Sequence, residues 1–291
     1  MNSRSIKGKC MSLALGAAFL CFSTVQAQSG WTRKKGEYYL KVQTNHGKSD
    51  NYFNLSGEQL KTSEFVQSVT GLYGEYGITD RFTIISYGPV IKHQYFQTTE
   101  KITALGDLPI GFKYGIFQGK IPISVSLVTD IPIAKANNYA QNKENSFEQI
   151  NLPAGDGEWN FRLTAAASHS FYPIPAYASV YSTFNYRTQY EGVDFTHQAM
   201  GGTEVGIIIG SKVWLIGGLS FQKSLGSGAA VDFVRGEGTE FTALEIKSAV
   251  EVYNAISLNV GYFRYMDLII ERANLYSSGI ISLGLAYEFK K

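Results

Sequence analysis

Along most of the chain the apolar positions recur every second residue. The pattern is clearest near the end, where Ile281, Leu283, Leu285, Tyr287 and Phe289 alternate with Ser282, Gly284, Ala286 and Glu288. It returns at Ile256, Leu258, Val260 and Tyr262 against Ser257, Asn259 and Gly261, and at Leu244, Ile246, Val250 and Val252 against Glu245, Lys247 and Glu251. A period of two sorts side chains onto the two faces of a strand, whereas helical spacing would scatter these charges around the element. The alternation predicts twelve strands, near 36–46, 63–77, 81–95, 104–117, 121–133, 158–171, 176–190, 199–210, 213–225, 241–253, 256–268 and 277–289.

The connections alternate in length. Gly77-Ile78-Thr79-Asp80, Gln118-Gly119-Lys120, Tyr172-Pro173-Ile174-Pro175, Ser211-Lys212 and Asn254-Ala255 are short. Between them lie longer polar links at 47–62, 96–103, 134–157, 191–198, 226–240 and 269–276. A soluble sandwich has no reason to keep every second connection short. Short turns on one rim, long loops on the other and an even strand count describe an all-β, antiparallel up-and-down barrel in an outer membrane. Closure satisfies every backbone group within the sheet, which lipid demands. Aromatic rings near strand ends, Tyr38, Tyr76, Phe82, Tyr114, Phe117, Trp159, Phe171, Tyr177, Tyr253, Tyr262, Tyr287 and Phe289, suit the two interfacial girdles of such a barrel. The best helical span, Val205 to Phe221, is broken by Lys212 and four glycines.

Composition agrees, with charged residues at 17% and aromatics at 14%, where soluble domains carry roughly 25% charge. Arg4, Lys7 and Lys9, then an apolar stretch from Met11 to Phe22, then Val25-Gln26-Ala27 read as a secretory signal over 1–27, cut before Gln28. The barrel then occupies 28–291. Removal of the signal takes away three bases and leaves 23 against 24 acids, so nothing in the charge invites nucleic acid. It also removes Cys10 and Cys21, the two cysteines of the chain, leaving no disulfide or thiol chemistry.

At Gly106-Asp107-Leu108, followed by Gly111-Phe112-Lys113-Tyr114, the chain resembles the outer-membrane family named for the meta-pathway of phenol degradation. Leu152-Pro153-Ala154-Gly155-Asp156-Gly157 resembles the same family's Pro-Thr-Gly-like loop, with Ala154 where Thr is expected. The resemblance implies a barrel porter for small, hydrophobic or aromatic molecules. The last strand, ending on the aromatic Phe289 before Lys290 and Lys291, resembles the C-terminal signal read by the barrel assembly machinery. Outer-membrane lipid, that machinery and a small permeant are therefore the expected partners, with both termini periplasmic.

If the apolar faces meet lipid, the opposite faces carry Glu37, Lys41, Asp107, Lys113, Arg162, Glu204, Glu245, Lys247, Glu251 and Glu288 into the lumen. Charge facing lipid is costly, so this shared phase supports the barrel independently of the loops. These residues describe either a polar conduit that selects permeants or an ion-pair network that stiffens a narrow barrel. Among His46, His93, His169 and His197, only His46 has a suggestive neighbourhood, Ser49 and Asp50. It lacks the His-x-Ser-Asn-Gly pattern of barrel phospholipases and reads as a solvated loop residue. No paired-histidine, calcium-loop, phosphate-loop or dinucleotide pattern occurs, so no catalytic residue, metal or cofactor is expected. The readings that stay open are a channel, a barrel hydrolase, and a structural or adhesion barrel acting through its loops. The link at 134–157 is too long for a plain connection. It is expected to fold over or into the mouth, with Tyr139, Phe147, Ile150 and Leu152 packing inward.

Overall fold

The computed structural model describes residues 28–226 and 236–291. The signal at 1–27 lies outside the described residues, as does part of the link at 226–240.

Twelve strands form one barrel: β1 Tyr38–Phe53, β2 Gln59–Gly77, β3 Phe82–Phe96, β4 in two pieces (Ile102–Leu105 and Leu108–Phe117), β5 Ile123–Ile131, β6 Asn160–Ser170, β7 Ala176–Arg187, β8 His197–Ile209, β9 Val213–Leu225, β10 Phe241–Tyr253, β11 Ile256–Met266 and β12 Gly279–Phe289. Each pairs antiparallel with its neighbours in chain order. The sheet closes where β1 meets β12, from Tyr38 opposite Phe289 to Gly47 opposite Ile280. The Tyr38 and Phe289 rings stack across this seam at 5.2 Å.

The period of two becomes an inside and an outside. On β1, Leu40 and Val42 are exposed while Lys41 between them is buried. On β12, Ile281, Leu283 and Leu285 face out and Ala286 and Ser282 face in. Toward the long-loop rim the outer surface turns polar, through cross-strand pairs Thr44–Thr70 (2.9 Å), His46–Ser68 (2.8 Å) and His93–Thr103 (2.7 Å).

Four expectations need correction. The link at 47–62 is largely strand, because β1 runs to Phe53 and β2 begins at Gln59, leaving 54–58 as the turn. Beyond the membrane neither face must be apolar, so the alternation fades while the backbone ladder continues. The strand expected at 104–117 is broken at Gly106-Asp107, opposite a part of β3 that contains Pro89. Pro89 and Pro109 lack N–H donors, and the ladder between β3 and β4 skips from Ile91 with Leu105 to Ile85 with Gly111. Tyr177 is not in a girdle; it shares the inward phase of the buried Ser179 and Tyr181, and its ring meets those of Trp31 at 5.7 Å and Trp214 at 5.4 Å. Phe147 and Tyr139 do not pack inward, being 97% and 58% exposed on a small hairpin in which Tyr139–Gln141 pairs with Gln149–Asn151.

The end of the long link, from Ile150, does turn inward. Leu152 and Ala154 are fully buried, and Leu152 joins Phe65, Phe96, Phe241 and Tyr276 in an apolar cluster that fills the long-loop end of the barrel, with Ile150 against it.

The two rims are separable by labelling. A membrane-impermeant maleimide is expected to react with a Phe147→Cys variant on intact cells, and with a Tyr172→Cys variant, in a turn where Tyr172 is 89% exposed, only after the outer membrane is permeabilised. The reverse pattern would invert the barrel.

Candidate functional site

Two segments enter the barrel from opposite rims. From the short-turn rim, residues 28–33 run along the inner wall. Ser124 Oγ donates to the Ser29 carbonyl (2.9 Å), and the Gly30 N–H donates to Ser168 Oγ (2.8 Å). The Arg33 N–H donates to Thr83 Oγ1 (3.0 Å). The Arg33 side chain reaches Glu75 on β2 (2.6 Å) and Glu288 on β12. Lys113 on β4, 1% exposed, bonds the other Glu75 oxygen at 2.9 Å. A backbone inside a barrel needs partners for its polar groups, and inward-facing side chains supply them here.

A second charged group lies across the lumen. Lys247 of β10 contacts Glu204 of β8 (2.9 Å) and Glu245 of its own strand (3.1 Å), and the Tyr177 hydroxyl donates to Glu204 (2.7 Å). Lys41 is buried in the same phase.

From the long-loop rim, residues 152–158 descend along β3, β4 and β7. Gln94 donates to the carbonyls of Leu152 (2.6 Å) and Pro153 (2.8 Å), and Lys92 to that of Ala154 (2.5 Å). The break in β4 turns Asp107 to this segment, where it accepts from the Ala134 N–H (3.0 Å). At Gly155 an added Cβ would stand 2.4 Å from an Asp107 oxygen and 2.8 Å from Ala134 Cβ, so a larger residue there would displace Asp107 from its bond to Ala134. Gly157 takes a φ of +90° beneath the Tyr190 ring. The two family-like stretches, Gly106-Asp107-Leu108 and Pro153-Ala154-Gly155-Asp156-Gly157, thus meet in the lumen although about 45 residues apart in sequence. Leu108 itself is exposed on the outer face.

Arg187 at the end of β7 fastens this segment. Its guanidinium, 2% exposed, bonds Glu158 (2.7 Å), Asp156 (3.0 Å) and Glu237 (3.3 Å), and lies 4.4 Å from the centre of the Phe195 ring. Arg162 of β6 pairs with Asp130 of β5.

Between the two inward segments a cavity of about 220 Å³ remains. Gln28 reaches it from one side and Gly155, Asp156 and Glu158 from the other, with Lys92, Asp107, Asp130, Arg162 and Arg187 on its wall. Of the residues expected in the lumen, Lys41, Lys113, Glu204, Glu245 and Lys247 are buried, while Asp107 and Arg162 are half-buried beside the cavity. Glu37, Glu251 and Glu288 sit at the short-turn rim, where Glu251 is exposed and Glu37 accepts from the Lys34 N–H (3.2 Å). Asp107 and Lys113 are not partners of each other.

The sequence did not single out Arg33, Glu75, Lys92, Asp130 or Arg187. Glu75, Lys92 and Asp130 carry a usable signal, since they share the inward phase of Tyr73, Gln94 and Val128 on their strands. Arg33 and Arg187 lie outside or at the limit of a strand, where phase is uninformative. His46 does not join Ser49 and Asp50. It bonds Ser68 on the outer surface, whereas Ser49 turns to the Asn51 and Ser277 carbonyls and Asp50 to Lys61. Among the described residues no three His, Cys, Asp or Glu side chains cluster to hold a metal ion.

No protein-family model matches the chain, and no curated protein matches it. Solved structures share its fold. It is similar to an outer membrane channel from Pseudomonas putida F1, with 13% identity, a TM-score of 0.64, and coverage of 89% of this chain and 97% of that one. It is similar to the NanC porin, with 10% identity, a TM-score of 0.54 and coverage of 86% and 100%. The translocator domain of the autotransporter NalP from Neisseria meningitidis gives 10%, 0.51, 89% and 91%. At these identities the likeness is one of fold, and it establishes the architecture of an outer-membrane barrel.

The Glu75 cluster makes a stability forecast. Removing one partner of a buried ion pair strands the other, at roughly 3–5 kcal/mol. Glu75→Gln, which takes the shared carboxylate from both Lys113 and Arg33, is therefore expected to lower the unfolding temperature in detergent clearly, and Lys113→Met added to it is expected to restore part of the loss. An unshifted single variant would mean the cluster is solvated.

Proposed function

We propose that this barrel is an outer-membrane channel or porter for small molecules, with both termini in the periplasm. The observation that carries this is the charged cavity inside the closed wall, bounded by Gln28 on one side and Gly155 to Glu158 on the other. Two such constrictions in series leave space for a small solute and none for a macromolecule. Val69, Tyr87, Tyr181, Met200 and Phe241 also line the cavity, which supports a permeant with an apolar or aromatic body. The contact between Asp107 and Gly155 supports treating the two family-like stretches as one unit, as in the resembled family of porters.

A hydrolase has less behind it. His46 and Ser68 are within hydrogen-bond reach, but among the described residues no carboxylate orients the imidazole as a third partner, and His93 makes the same kind of pair with Thr103. Both fit polar bonding at the edge of the lipid-facing band.

Single-channel recording in planar bilayers tests the channel reading. Wild-type protein is expected to give small, discrete conductance steps, and deletion of residues 28–33 is expected to enlarge them several-fold. A correctly folded barrel that conducts in neither form would sink transport and favour a structural role through the exposed hairpin around Phe147.

A further inference from the structure

Charge is distributed unevenly along the lumen. Toward the short-turn rim Arg33, Lys41, Lys113 and Lys247 stand against Glu75, Glu204, Glu245 and Glu288, four of each sign. Among the described residues around the cavity Asp107, Asp130, Asp156 and Glu158 outnumber Lys92, Arg162 and Arg187, and Glu237 adds a fifth acid behind Arg187.

The excess is visible at particular atoms. Asp156, Glu158 and Glu237 divide one guanidinium, which has five N–H donors but a single charge. Among the described residues Asp156 Oδ1 and Glu158 Oε2 are buried with no hydrogen-bond partner. The Glu158 side chain is 1% exposed and forms part of the cavity wall. One guanidinium does not balance three carboxylates, and a further positive charge in the cavity would offset the excess through the low-dielectric interior.

The rest of the lining is mixed. Met200 of β8 and Phe241 of β10 line the cavity beside Gln198, Ser220 and Gln222, while Tyr87 of β3 and Tyr181 of β7 stand nearer the acids. Carboxylates and apolar side chains thus share one cavity of about 220 Å³.

We propose that this cavity binds a small organic monocation, an ammonium group on an aromatic or short aliphatic body. The ammonium lies among Asp107, Asp130, Asp156 and Glu158, and the body lies against Met200 and Phe241. The proposal names the class of permeant for the channel reading and rests on it for transport, while binding itself does not require transport.

The test is calorimetric titration of the purified barrel in detergent with benzylammonium, benzyl alcohol and benzoate, three probes with the same ring and different charge. Benzylammonium is expected to bind saturably, about tenfold or more tighter than the alcohol, and benzoate not at all. Glu158→Gln and Asp156→Asn are each expected to weaken benzylammonium about tenfold and to leave the alcohol unaffected. Glu251→Gln, at the exposed rim, is expected to change nothing. Equal binding of benzoate, no binding of benzylammonium, or full affinity in a folded Glu158→Gln variant would overturn the proposal. Should the variants fail to fold, the three-probe comparison on wild-type protein decides alone. A barrel that binds benzylammonium but never conducts would defeat the channel reading only, and one that conducts but does not bind would defeat this proposal only.

Discussion

A charge cannot rest against hydrocarbon, and a closed sheet offers one other place for it. That constraint sends the ionisable side chains of the membrane-spanning strands into the lumen, where space is short and they must satisfy one another. Arg187 shows the consequence most sharply. Buried at the end of β7, it is held by Asp156, Glu158 and Glu237, from two different loops, and by the face of Phe195. Those loops are drawn in because the wall carries a charge that needs them.

The same logic explains the polar backbone inside the barrel. Residues 152–158 have no sheet to pair with, so Gln94 and Lys92 take up their carbonyls. Residues 28–33 at the other rim are received by Ser124, Ser168 and Thr83. The break at Gly106-Asp107 fits this scheme. Prolines interrupt the ladder between β3 and β4 at that level, and the gap in pairing frees Asp107 to accept from Ala134 instead of facing along a regular strand. A local fault in the sheet thereby becomes an anchor for the inward loop.

Much of the wall was legible in the sequence, because lipid on one side and charge on the other impose a period of two on every spanning strand. Ile281 to Phe289 and Leu244 to Val252 displayed it plainly. The signal stopped where its cause stopped. Beyond the membrane, residues such as Asn51 and Lys61 pair in a ladder that no alternation marks, so the hairpin between β1 and β2 read as a loop. Tyr177 read as a girdle ring because ring type says nothing about phase, and a bond to Glu204 holds it inside. The site was less legible. Lys113, Glu204 and Lys247 follow from strand phase, but their partners come from other strands or from the N-terminal segment, and one chain read in isolation gives no account of which strands face each other. The inward turn of 152–158 was suggested by loop length. The side chains that hold it, Lys92, Gln94 and Arg187, had no local pattern to announce their role.

That the Arg187 contacts keep the inward loops against the wall is tested most directly by single-channel recording of an Arg187→Met variant that still folds as a heat-modifiable barrel. With the guanidinium gone, Asp156, Glu158 and Glu237 repel one another, and the segments carrying them are expected to leave the lumen, giving a larger and noisier conductance than wild type. Conductance of unchanged size and noise would contradict the claim and assign the placement of those loops to apolar packing around Leu152.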